Sequence, residues 1–126
     1  MTVAYVDTSC LVAIAFRERG GAALVRRLEQ YDVLVSANLL EAELRGAFAR
    51  EQLPFQTGAL SWISWVLPDR PLGPEIARAL EAGYLRGADL WHIACALYLA
   101  EDLGSFAFVT LDDRQRDVAE ALGLET

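Results

Sequence analysis

Val3-Ala4-Tyr5-Val6-Asp7-Thr8-Ser9 decides how the rest of the chain is read. Residues 2–6 are short, apolar and rich in β-branched and aromatic side chains, which predicts a buried strand. An acid stands at its end, followed by two hydroxyl residues. Apolar helical character resumes over residues 8–16 until Gly20-Gly21 interrupts it. Outward from this start, strand and helix character alternate. An amphipathic helix is expected over 22–30, a strand over 32–36, and a helix over 38–52 that stops before Pro54. Residues 57–66 read as a further helix, placing Trp62 and Trp65 on one helical face as core residues. Pro74 suits the first turn of a helix that reaches about residue 85. Residues 89–103 form the most apolar helix, closed by Gly104. A strand over 106–110 and a helix over 114–122 complete the series, and Leu124 begins a short edge strand. This alternation of apolar strands and helices predicts an α/β fold: a central parallel sheet of about four to five strands, covered on both faces.

In such sheets, ligands bind outside the carboxyl ends of the strands. Asp7 closes the first strand and Asp112 follows the strand at 106–110, so both are expected there. Asp89 opens the most apolar helix. Glu43 has only apolar or small neighbours at helical spacing: Leu39, Leu40, Gly46 and Ala47. A carboxylate against a core is costly unless something cationic neutralises it. Four converging carboxylates therefore point to a divalent metal site. Each acid also has a structural reading. Asp7 and Asp89 can cap helices, and Asp113 is expected to cap the last helix, leaving Asp112 for the site. Thr8 and Ser9 either serve the same site or cap the first helix. Glu41 is accounted for separately, by a capping pair with Asn38 and an ion pair with Arg45 four residues on. His92 has no histidine or cysteine partner for zinc and reads as a packed or surface side chain.

Composition sets further bounds. The chain has 126 residues, 54% hydrophobic and 23% charged, which describes one globular domain over residues 1–126. No apolar run is long enough for a membrane span, and the N-terminus lacks the pattern of a signal peptide. Cys10 and Cys95 lie in apolar segments and read as reduced core residues, so a cytoplasmic location is expected. The formal charge of −7 argues against a surface built throughout for nucleic acid. Two bound divalent ions would offset the four acids of the cluster. All 11 basic residues are arginine, whose planar fork suits phosphate, and Arg45, Arg86 and Arg114 lie near the acids in sequence. With no lysine, the chain does not fit receiver domains or haloacid-dehalogenase-like phosphatases, which normally place one near the phosphoryl group. It also lacks a P-loop and a G-x-S-x-G elbow.

Four motifs in this order carry a resemblance: Val6-Asp7-Thr8-Ser9; Glu41-Ala42-Glu43-Leu44-Arg45; Ala88-Asp89-Leu90-Trp91-His92-Ile93-Ala94; and Phe108-Val109-Thr110-Leu111-Asp112. Over essentially its whole length the chain resembles PIN-domain endoribonucleases, and among them the short VapC-like toxins of prokaryotic type II toxin–antitoxin systems. The resemblance implies a three-layer α/β/α fold. It also implies a metal-dependent endoribonuclease in which Asp7, Glu43, Asp89 and Asp112 hold Mg²⁺ or Mn²⁺, with Thr110 as the hydroxyl that accompanies the last Asp. An RNA substrate, a homodimer and a VapB-like antitoxin lying over the groove are implied too. The competing expectation is a catalytically silent binding module that keeps the fold and holds a basic partner in its acidic groove.

Overall fold

Four short strands form one parallel sheet, and six helices pack on its two faces; the computed structural model describes residues 1–126. The chain runs β1 (Val3–Val6), α1 (Thr8–Ala15), α2 (Gly21–Leu28), β2 (Val33–Ala37) and α3 (Leu39–Arg50). It continues through a 3₁₀ turn (Thr57–Leu60), β3 (Ile63–Val66), α4 (Gly73–Ala82), α5 (Gly87–Leu103), β4 (Ala107–Val109) and α6 (Asp113–Ala121). The spatial order is β3-β2-β1-β4. β1 lies parallel to β2, with Ala4 opposite Leu34, and parallel to β4, with Tyr5 opposite Phe108. The edge strand foreseen at Leu124 is a single parallel bridge from Ala107 to Glu125.

Side chains alternate across the sheet because successive residues of a strand point to opposite faces. Ala4, Val6, Leu34, Ala107 and Val109 pack with Cys10, Leu11, Leu24, Leu28, Leu40, Leu44 and Phe48 of α1, α2 and α3. On the other face, Tyr5, Val35, Ala37 and Phe108 meet Ile93, Ala94, Cys95, Ala96 and Leu97 of α5, with Ala79 of α4 and Val118 of α6. The result is the expected three layers. Cys10 and Cys95 are both free and buried. No helix is long and apolar enough to cross a membrane.

Residues 57–66 depart from expectation. They form a 3₁₀ turn and then β3, which pairs with β2 from Leu34 opposite Ile63 to Ala37 opposite Val66. Gly58 weakens a helix, while Trp62-Ile63-Ser64-Trp65-Val66 is rich in the aromatic and β-branched residues that favour strands. Pairing with β2 decided the outcome. Trp62 and Trp65 therefore share no helical face, and Trp62 is exposed. Pro74 does sit in the first turn of α4, but that helix stops at Ala82.

The strand order places the site. Beside β1, the chain leaves toward β2 on one side and returns in β4 on the other. The reversal between β1 and β4 opens a crevice at their carboxyl ends.

Candidate active site

Asp7 and Asp112 stand at that crevice. The Asp7 backbone N–H still donates to the carbonyl of Val109, at 3.3 Å, extending the β1–β4 pairing by one step. The Asp7 side chain is only 2% exposed. Its Oδ1 accepts from the Ser9 hydroxyl (2.6 Å) and the Cys10 amide (3.4 Å), and its Oδ2 lies 2.7 Å from Thr110 Oγ1. The capping role and the site position therefore belong to the same side chain. No cationic side chain reaches this buried carboxylate.

Ser9 also accepts from the Leu111 amide at 3.1 Å, and the Cys10 thiol donates to the Val109 carbonyl at 3.4 Å. These bonds fasten the β1–α1 connection to the β4–α6 connection. Thr110 Oγ1 is buried, accepts from the Asp112 amide at 3.0 Å, and lies 2.9 Å from Gln115 Oε1. Its single proton serves either Asp7 or Gln115. Gln115, fully buried, donates from Nε2 to the Asp89 carbonyl at 3.1 Å, tying α6 to the first turn of α5.

Asp112, not Asp113, is the N-cap of α6. Its backbone is extended (φ −89°, ψ 118°) and its Oδ1 accepts from the Gln115 amide at 2.8 Å. Asp113 is already helical, points to solvent and pairs with Arg116 at 2.6 Å. The helix begins one residue earlier than the sequence suggested, and the assignment of the cap moves with it. Asp112 remains at the crevice, since only one of its oxygens is engaged. Asp89 likewise does not cap α5. That helix starts at Gly87, so Asp89 lies within its first turn. The Asn38–Glu41 capping pair is absent as well, because Asn38 has helical dihedrals (φ −59°, ψ −23°) that carry its side chain away from cap geometry. Glu41 does pair with Arg45, at 2.8 Å.

Glu43 reaches the crevice from α3. Its Oε1 accepts from the Thr8 hydroxyl at 2.6 Å and lies 3.0 Å from His92 Nε2. His92, on α5 and 1% exposed, has its Nδ1 2.8 Å from the Tyr5 hydroxyl, which itself accepts from the Ala37 amide at 3.1 Å. Burial holds the Tyr5 phenol well above its ordinary range, so it stays protonated and donates to Nδ1. The other ring nitrogen then carries the hydrogen and donates to Glu43. Burial alone would raise the Glu43 carboxyl, but the bonds from His92 and Thr8 outweigh it and hold it low. His92 is packed, as expected. Its bond to Glu43 was not foreseen, nor were the roles of Tyr5 and Gln115. Two signals were available: His92 lies three residues after Asp89, on the same helical face, and Gln115 occupies the third helical position after the Asp112 cap, where capping boxes place Glu or Gln.

The four acids form two supported groups that sense one another. Burial, then the charges of Asp112 and Asp7, raise the Asp89 carboxyl; His92 opposes this and Glu43 adds to it. Asp89 has no hydrogen-bond or ion-pair partner for its carboxylate. The donor set is wholly oxygen and anionic, which is the chemistry that hard divalent cations take. No three carboxylate, histidine or cysteine side chains are drawn together closely enough to hold an ion by themselves. A cavity of about 380 Å³ opens over Asp89 and Asp112, lined also by Leu85, Arg86, Asp113 and Arg114.

Of the four acids that the sequence motifs singled out, Asp89 and Asp112 share this cavity, whereas Asp7 and Glu43 are not among its lining residues. The PIN domain family model matches residues 4–121, and the chain belongs to that family. Over 127 aligned positions it is also similar to Ribonuclease VapC46 of Mycobacterium tuberculosis, at 34% identity, covering 98% of this chain and 95% of the relative.

Proposed function

We propose that this protein is a divalent-metal-dependent endoribonuclease that hydrolyses phosphodiester bonds of RNA, and the toxin of a toxin–antitoxin pair. One observation carries the reading: Asp89 and Asp112 line one cavity at the carboxyl end of the sheet, and neither carboxylate has an ion-pair partner. Family membership and similarity to a protein named as a ribonuclease support it. In this proposal Asp7, Asp89 and Asp112 hold Mg²⁺ or Mn²⁺ directly, and Glu43 holds a water or a second ion. When bound, such a cation lowers the pKa of water, orients it in line with phosphorus and stabilises the charge that develops there.

The chain's own residues do the positioning. Ser9 donates to Oδ1 of Asp7, and Thr110, whose one proton is shared between Asp7 and Gln115, lies against Oδ2, so the carboxylate is held in one orientation. Thr8 and His92 fix Oε1 of Glu43 and keep that carboxyl ionised, able to accept a hydrogen bond from an attacking water. The Asp112 cap leaves one carboxylate oxygen unengaged at the cavity. Single-stranded RNA is the favoured substrate, because its backbone and unstacked bases are open to a shallow crevice. The same proposal takes residues 1–126 as one PIN domain, cytoplasmic, acting as a homodimer and silenced by a VapB-like antitoxin.

The experiment is direct. Purified partner-free protein with Mg²⁺ or Mn²⁺ should cut RNA, chelation should stop it, and Asp7→Asn should abolish cutting while circular dichroism stays unchanged. Cutting that persists in EDTA, or in Asp7→Asn, would refute the proposal.

A further inference from the structure

The cavity over Asp89 and Asp112 holds two arginines, Arg86 and Arg114, beside three carboxylates, yet neither guanidinium group forms an ion pair or a hydrogen bond. Five more arginines are also unpaired but lie away from this cavity, and four are engaged. Arg45 pairs with Glu41 and lies over the Phe55 ring, Arg50 pairs with Glu51, Arg70 with Glu75 and Glu101, and Arg116 with Asp113 and the Thr110 carbonyl. Arg45, which lay equally near the acids in sequence, is thus committed elsewhere.

The placement of Arg86 and Arg114 also runs against helix electrostatics. Arg86 is the N-cap residue of α5, with extended backbone (φ −75°, ψ 163°) and no side-chain cap bond. Arg114 lies in the first turn of α6, two residues after the Asp112 cap. Helix N-termini favour anions and disfavour cations, and arginine is not among the residues preferred as an N-cap. Two cations thus sit at the unfavourable ends of two helices, both on one cavity, neither neutralised. Helix-end electrostatics does not account for them. An anionic ligand does, since it would be held by both guanidinium forks and by the free amides at the start of α5.

We infer that Arg86 and Arg114 are positioning residues that grip a backbone phosphate of a single-stranded nucleic acid, setting the strand across the carboxylate crevice. This deepens the proposed function and rests on it. Two free guanidinium groups beside the carboxylates divide the work. The acids hold cations, and the arginines take the non-bridging phosphate oxygens that carboxylates would repel. The short distance in sequence, Arg86 to Asp89 and Asp112 to Arg114, keeps each arginine on the same helix start as an acid of the site.

The test measures cleavage of a labelled single-stranded RNA in Mg²⁺ and, separately, its binding by fluorescence anisotropy with Ca²⁺ in place of Mg²⁺. Arg86→Gln and Arg114→Gln should each raise KM about ten-fold, as expected for one lost charge-assisted contact, with a smaller change in kcat. Each should also flatten the slope of log affinity against log salt by about 0.7, the value for one phosphate contact to a single strand. Arg86→Lys should recover only part of the affinity, because it restores charge without the fork. Arg26→Gln, an exposed and unpaired arginine on α2, should match wild type. If wild type cuts RNA and both glutamine variants keep its KM and salt slope, the inference is overturned and the nuclease reading survives. If wild type binds RNA but never cuts it, and the variants lose binding, the arginine assignment stands while the nuclease reading falls. RNA neither bound nor cut by wild type would overturn both.

Discussion

Asp89→Asn removes one charge from a crowded crevice while keeping the size and shape of the side chain, and should make the protein more stable and inactive at once. Burial and the charges of Asp112 and Asp7 raise the Asp89 carboxyl. A carboxyl with a raised value in the fold contributes fully below its unfolded value near 4. That contribution is lost as pH rises through the folded value. At neutral pH the ionised Asp89 is therefore a net cost. Two like charges several ångströms apart at an effective dielectric near 20 repel by about 2 kcal/mol. Asp89 is only half-buried, so solvent screening reduces the net effect to about 1 kcal/mol. For a chain of this size that corresponds to a Tm increase of about 3–5 °C. The assay is thermal unfolding of wild type and Asp89→Asn in EDTA at pH 7 and again near pH 4. The gap should be present at pH 7 and close near pH 4. Adding millimolar Mg²⁺ at pH 7 should raise wild type more than the variant, because only a folded-state site shifts Tm by mass action. A variant less stable than wild type at pH 7 in EDTA would show that the acids do not strain one another.

Thr110→Val should lower stability by about 2 kcal/mol, measured by urea unfolding, because it leaves the Asp112 amide, and whichever of Asp7 and Gln115 takes the Thr110 proton, short of a partner. Tyr5→Phe should cost about 1–3 kcal/mol by the same measurement, since the Ala37 amide and His92 Nδ1 both lose the phenol oxygen. His92→Gln should keep the fold but lower kcat, by releasing Glu43 from its set orientation; a kcat equal to wild type would remove the positioning role. The Arg70–Glu75 pair holds the Glu75 carboxyl below its ordinary value. Its stabilisation is present above the unfolded value and lost as pH falls through the folded one, so Arg70→Gln should lower Tm at pH 7 and approach wild type in acid.

Much of this arrangement was readable from residue types and their spacing. The strand at residues 3–6 and the apolar helix ending at Gly104 carry local signals, and both form; of the four acids, Asp89 and Asp112 line one cavity, while Asp7 and Glu43 are held by hydrogen bonds of their own. Residues 57–66 were misread because the helical spacing of Trp62 and Trp65 is compatible with either state. The deciding interaction, pairing with Leu34 to Ala37, lies outside any local window. The helix starts lie one residue earlier than expected at α6, Asp113 against Arg114, and two earlier at α5, Gly87 against Asp89, differences that local preference does not resolve. The chain of bonds from Ala37 through Tyr5 and His92 to Glu43 draws on four separate elements. None of its members signals the others in sequence, and only the packing of α5 against β1 and α3 brings them together.

The order β3-β2-β1-β4 has a consequence for how the protein comes into being on the ribosome. The first strand synthesised is the last to gain its second neighbour, since β4 pairs with it only when about a hundred residues separate them. Until that late insertion, Asp7 lacks Thr110 and the crevice has one wall. A chain built this way completes the surroundings of Asp7 only when its last strand is in place, so the carboxylate stays without its Thr110 partner until synthesis is nearly finished.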